Sequence, residues 1–224
     1  IGYMSTGRIS NLNISQCRVY GKAFIGGLVG STSYVTINNC SVSGEVVGMA
    51  EVGGIVGRHS AGHIANCFFN GNIISRFEFP DDLIVGYAGG ICGTPSSDAI
   101  MNCYVVSEIG SNGRYSGIIA GSGHNANSVS NCYYKQYNTE LTVAGESTPT
   151  SGISSFDGSG TAWTLKTPVY VNNAFRTDLL EVLNAWVDAN NADGNYSHWT
   201  IDAENQNGGF PVLVKPTFIA VKNC

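Results

Sequence analysis

Gly53-Gly54-Ile55-Val56-Gly57 is followed by Ile64-Ala65-Asn66-Cys67, ten residues from the last glycine to the cysteine. The same two motifs recur at the same spacing. Gly26-Gly27-Leu28-Val29-Gly30 leads to Ile37-Asn38-Asn39-Cys40, and Gly89-Gly90-Ile91-Cys92-Gly93 leads to Ile100-Met101-Asn102-Cys103. Gly2 and Leu12 keep the distance too, so Ile1-Gly2 reads as the tail of a further copy and the chain begins inside a repeat. A worn copy, Ser116-Gly117-Ile118-Ile119-Ala120 with Val129-Ser130-Asn131-Cys132, stretches the spacing to 12. The unit is about 27 residues, with an insertion over 74–86. Self-similarity at this period means stacked units.

No copy shows the three-and-four apolar spacing of an amphipathic helix. Each is a series of short β-like pieces punctuated by Gly, Asn and Ser. After each cysteine, alternate positions are apolar: Cys40 and Val42, Cys67 and Phe69, Cys103 and Val105, Cys132 and Tyr134. Period two puts these on one face. One unit cannot bury that face alone, but stacked coils can. The pattern predicts an all-β protein in which residues 1–135 form a right-handed parallel β-helix of about five coils. A β-propeller needs longer blades, and a sandwich does not need the repeat.

Stacking turns repeat positions into columns. Leu12, Cys40, Cys67, Cys103 and Cys132 form an inner one. Asn39, Asn66, Asn102 and Asn131 form a second at a corner, with side-chain amides bonded along the axis. A position that accepts Leu is a small buried apolar site, so free thiols are expected there, with a single disulfide as the alternative. Cys17, Cys92 and Cys224 fall outside the column.

Residues 136–175 lose the repeat and read as a loop wrapping the last coil. Residues 176–224 read as a cap of one helix plus strands, placed over an open end of the β-helix. Asp178 is the expected N-cap with Glu181 three residues on. Leu179, Leu180, Leu183, Trp186 and Val187 share a helical face, and the helix ends near Asn190-Asn191. Trp199–Ile201 and 210–214 read as strands.

The chain has 224 residues, with 11 basic and 16 acidic side chains and only 12% charged residues. That balance argues against a nucleic-acid partner. No apolar run is long enough to span a membrane.

The Gly-Gly-Leu-Val-Gly element at 26–30, its counterpart at 53–57, and the Gly-x-Ile-x-Asn-Cys element at 62–67 resemble the GLUG repeat family. The run 183–190, with Trp199 and Gly209-Phe210-Pro211-Val212-Leu213, resembles the tail of bacterial surface proteins that carry such repeats. Leu12 in place of Cys, Ala120 in place of Gly, and the insertion depart from the pattern. The resemblance implies a secreted or cell-surface bacterial protein of adhesin-like type, with a host glycan or protein as partner. It implies no catalytic residues and no cofactor.

Read on their own chemistry, the candidate sites are few. His59 and His63 have the spacing of a metal pair, but Gly62 and a strand context make corner histidines the simpler reading. The segment Asp188–Tyr196 approaches a calcium loop, yet its glycine is one place late, which favours a helix-ending turn. No metal site is predicted. Asp81 and Asp82 on the insertion, with Glu51, Glu78 or Asp98, are the acids a polysaccharide lyase or hydrolase would use. No basic residue recurs at a matching position in adjacent coils, so a non-enzymatic module is expected, presenting a rigid β-helical surface for adhesion or ligand contact or acting as a spacer, with a polysaccharide-binding or polysaccharide-cleaving protein as the alternative. Phe68, Tyr104 and Tyr133 would stack outside successive coils. They form either an exposed ladder for sugar rings or a partner, or a strip covered by the insertion or the C-terminal segment.

Overall fold

The computed structural model describes residues 1–76, 86–95, 100–111, 115–121, 129–135, 137, 141–144, 152–159 and 161–214. Asp81, Asp82, Glu78, Asp98 and Cys224 lie outside the described residues.

The chain winds as a parallel β-solenoid. The first turn is β1 (Tyr3–Ser10), β2 (Asn13–Tyr20) and β3 (Ala23–Gly26). The second is β4 (Val29–Asn38), β5 (Ser41–Gly48) and β6 (Ala50–Gly53). The third is β7 (Val56–Ala65), β8 (Phe68–Ser75) and β9 (Tyr87–Gly89). The fourth is β10 (Cys92–Thr94), β11 (Ile100–Met101), β12 (Tyr104–Ser111) and the start of β13 (Tyr115–Ala120). A fifth is begun by β14 (Val129–Ser130), β15 (Tyr133–Lys135) and β16 (Thr142–Ala144). The solenoid therefore has about four turns rather than five, because the worn last copy supplies only short strands.

The register places repeat positions in files. Ile9, Ile37, Ile64, Ile100 and Val129 are successive partners. Cys40, Cys67, Cys103 and Cys132 are fully buried free thiols in the same core. Each donates to the carbonyl two residues back: Asn38 at 3.3 Å, Ala65 at 3.1 Å, Met101 at 3.2 Å and Ser130 at 3.2 Å. A small apolar side chain with a weak donor suits a corner whose carbonyl points inward. Leu12, on the first turn described, is 41% exposed, unlike the buried cysteines of its file.

The residue before each cysteine makes the corner. Asn11, Asn39, Asn66, Asn102 and Asn131 have φ between 47° and 59°. Asn is the non-glycine residue that tolerates this left-handed conformation best. Glycine in the other motif has a different cause. A Cβ on Gly54 would lie 2.2 Å from the Gly90 carbonyl oxygen and 2.3 Å from the Phe69 ring.

The C-terminal part departs from the expected end cap. Residues read as a wrapping loop contain β17 (Ser154–Ser159) and β18 (Ala162–Val171), followed by β19 (Ala174–Asp178). β17 adds in parallel to β15, and β18 and β19 continue antiparallel. Next comes α1 (Leu179–Asn190), where the Asp178 carboxylate accepts from the Glu181 amide at 3.1 Å. Val182 is fully buried on its inner face, while Leu180 is half-buried. β20 (Trp199–Thr200) and β21 (Val212–Leu213) then pair antiparallel. α1 and the chain after it lie along the flank of the solenoid. A second apolar core fills the seam, because the outward face of the later turns is aromatic. The first turn keeps Ile1, Tyr3, Tyr20 and Phe24 exposed. Among the described residues, no helix is long and apolar enough to cross a membrane.

Candidate functional site: a flank seam and its groove

One outward file runs through Asn13, Ser41, Phe68, Tyr104 and Tyr133. Phe68 and Tyr104 stack with centroids 5.0 Å apart and planes at 10°. Trp199 leans on both, 5.4 Å from Tyr104 and 6.0 Å from Phe68. Of the two readings of this ladder, exposed or covered, the structure has the covered one, so Phe68, Tyr104 and Tyr133 are not a binding surface. Tyr104 and Tyr133 have no exposed surface and Phe68 has 5%, because the flank layer, with Trp199 and Phe210, packs over them. The Tyr104 hydroxyl donates to the Pro211 carbonyl and accepts from the Asn207 amide at 2.8 Å. Burial pushes the Tyr104 and Tyr133 phenols up, so both stay neutral.

The asparagine corner is the second half of the seam. Asn39 donates to Asn11 Oδ1, Asn66 to Asn39 Oδ1 and Asn102 to Asn66 Oδ1, at 2.8–2.9 Å. The same amides reach the flank layer: Asn39 donates to Asn195 O, Asn66 to Ser197 O and Asn102 to Leu183 O. Asn66 Oδ1 also accepts from the Trp199 indole at 2.6 Å. Its two donors and two acceptor sites are therefore all used while it is fully buried. Sequence reasoning found this column but not its partner, since residues 183–199 carry no repeat.

Beyond the aromatic stretch the layer overhangs. On the first two turns the outward positions next to the tail, Asn13, Ser15, Ser41 and Ser43, are small and polar, and a groove of about 420 Å³ opens between them and the tail. Asn13, Ser15, Gln16 and Ser43 form one wall. Asn205, Gln206, Val212 and Leu213 form the other, and Leu12 and Phe68 contribute apolar surface. Among the described residues, no ionisable side chain lines it. The tail wall is shaped by buried Asp202, whose carboxylate accepts from the amides of Gln206 at 2.8 Å, Asn207 at 2.6 Å and Gly209 at 3.2 Å. Asn70 anchors the wall by donating to Asn207 O and Oδ1. None of these tail residues stood out in the sequence, because only their fold partners give them meaning.

The remaining candidates do not converge. His59 is buried inside the coils with Nδ1 2.6 Å from Thr32 Oγ1, and burial lowers its pKa. His63 is half-buried beside Arg8, and burial lowers its pKa also. Buried Glu51 takes a two-pronged ion pair from Arg58, which lies 4.3 Å over the Phe24 ring. Asp188 pairs with His198 at 2.8 Å, and Asn191 closes the turn after α1 through Tyr196. Among the described residues, no three His, Cys, Asp or Glu side chains gather as a metal site.

A family model, that of the GLUG motif, matches residues 50–74. The chain carries a GLUG motif. In this fold the motif spans β6, β7 and nearly all of β8, which is close to one full turn. Its glycines and its Asn66-Cys67 corner are the positions that the neighbouring turns repeat in register. No curated protein and no solved structure matches the chain.

Proposed function

We propose that this GLUG-motif chain is a non-enzymatic, adhesin-like module of the bacterial cell surface or exterior, which presents a rigid solenoid for contact with a ligand. The observation that carries the reading is the seam. A stack of coils already joined by its own columns is clamped lengthwise by a layer bonded to three successive corner asparagines. Such a body holds its shape and offers its flank as a fixed surface. The low charge and the resemblance of repeat and tail to bacterial surface proteins support the placement.

Brief protease treatment of intact producing cells, followed by immunoblotting of this segment, tests the location. Loss of the signal without lysis is expected, and protection until lysis overturns the placement. Incubation with neutral and acidic polysaccharides, with and without calcium, tests the absence of catalysis. Release of reducing ends by the purified chain, abolished in Asp81→Ala or Asp82→Ala, overturns the non-enzymatic reading.

A further inference from the structure

We infer that the groove beneath the tail is a binding site for a short neutral oligosaccharide. The inference rests on the surface-module reading and gives it a ligand class. The argument begins with the outward file. On the third to fifth turns the file is aromatic, and the flank layer sits directly on it. On the first two turns the same file is Asn13 and Ser41, and the next outward position is Ser43. The layer does not follow the surface down. It is held off by its own scaffold, the Asp202 loop and the Asn70–Asn207 bonds. The space left, about 420 Å³, lies within the range of small-ligand sites.

The lining selects the ligand chemistry. Amides and hydroxyls that both donate and accept match the hydroxyls of a sugar, which also do both. The Ser15 hydroxyl and the side-chain amides of Gln16 and Asn205 have no hydrogen-bond partner among the described residues and stand at the groove's rims. Leu12, Val212 and Leu213 supply the apolar surface on which the C–H face of a pyranose packs. A carboxylated sugar, a phosphate or a charged peptide would find no counter-charge among the described lining residues.

Saturation-transfer NMR on the full chain tests this with cellotriose, mannotriose, xylotriose and chitotriose, set against trigalacturonate and sialyllactose. At least one neutral trisaccharide is expected to bind, more tightly than either acidic one. Ser43→Trp, which fills the groove, is expected to abolish binding. Gln16→Gly combined with Asn205→Gly, on exposed rims where the left-handed backbone (φ 55° and 51°) is one that glycine adopts freely, is expected to weaken it about tenfold with little change in melting temperature. If Ser43→Trp fails to fold, the rim variant decides. Absence of binding by all four neutral probes, preference for an acidic probe, or binding indifferent to the rim variant overturns the inference. Protease accessibility on cells is independent of these results, so a failed ligand and a failed location are told apart.

Discussion

Single atoms decide the repeat motif. Gly54 is required by close approach: its missing Cβ would collide with the backbone of the next turn. Gly54→Ala is expected to cost about 3 kcal/mol or more, read as a lower denaturation midpoint. His59 adds a dependence on acidity. Its pKa is lowered in the fold, so the unfolded chain binds the extra proton first. The stability it contributes is complete above the ordinary histidine value of about 6.5 and is lost as pH falls below it. His63, shifted the same way by burial, adds to the slope. Melting temperatures measured across this range should fall toward acid, and the fall should be shallower in His59→Gln.

At the scale of elements, the corner column joins two layers that share no strand pairing. Removing the Asn66 side chain strips partners from Asn39, Asn102, Ser197 and Trp199 at once, all within a buried seam. Asn66→Ala is expected to cost about 3–5 kcal/mol. Hydrogen exchange should then show residues 183–199 opening before the coils do. Asp202 plays the corresponding part for the tail wall. Asp202→Ala leaves three amides without their acceptor, and faster exchange at Gln206, Asn207 and Gly209 is the expected sign.

For the whole molecule, the solenoid was legible because each side-chain position is stated several times. The Asn-Cys pairs name both a left-handed corner and an inner file, and their spacing alone puts them in neighbouring turns. α1 was legible from Asp178 and the apolar face after it. The flank position of that helix was not, because it depends on Phe68 and Tyr104 meeting Trp199, residues far apart in the chain. An aromatic outward file reads equally as a surface or a seam, and only the covering layer distinguishes them. The groove was hidden for the same reason: Asn13 and Ser43 look like ordinary solvent-facing residues until the Asp202 loop is set opposite them.

The shut-away thiols carry a cost that shows only when the coils come apart. Burial pushes Cys67, Cys92 and Cys132 toward the unreactive protonated form, so a thiol reagent should label these slowly in the native protein. Once melted, the same chain carries several accessible sulfhydryls at near-regular intervals, ready for wrong cross-links in any oxidising medium. Heating in air should therefore be a one-way process, whereas heating with a reductant should give a second calorimetric scan that overlays the first.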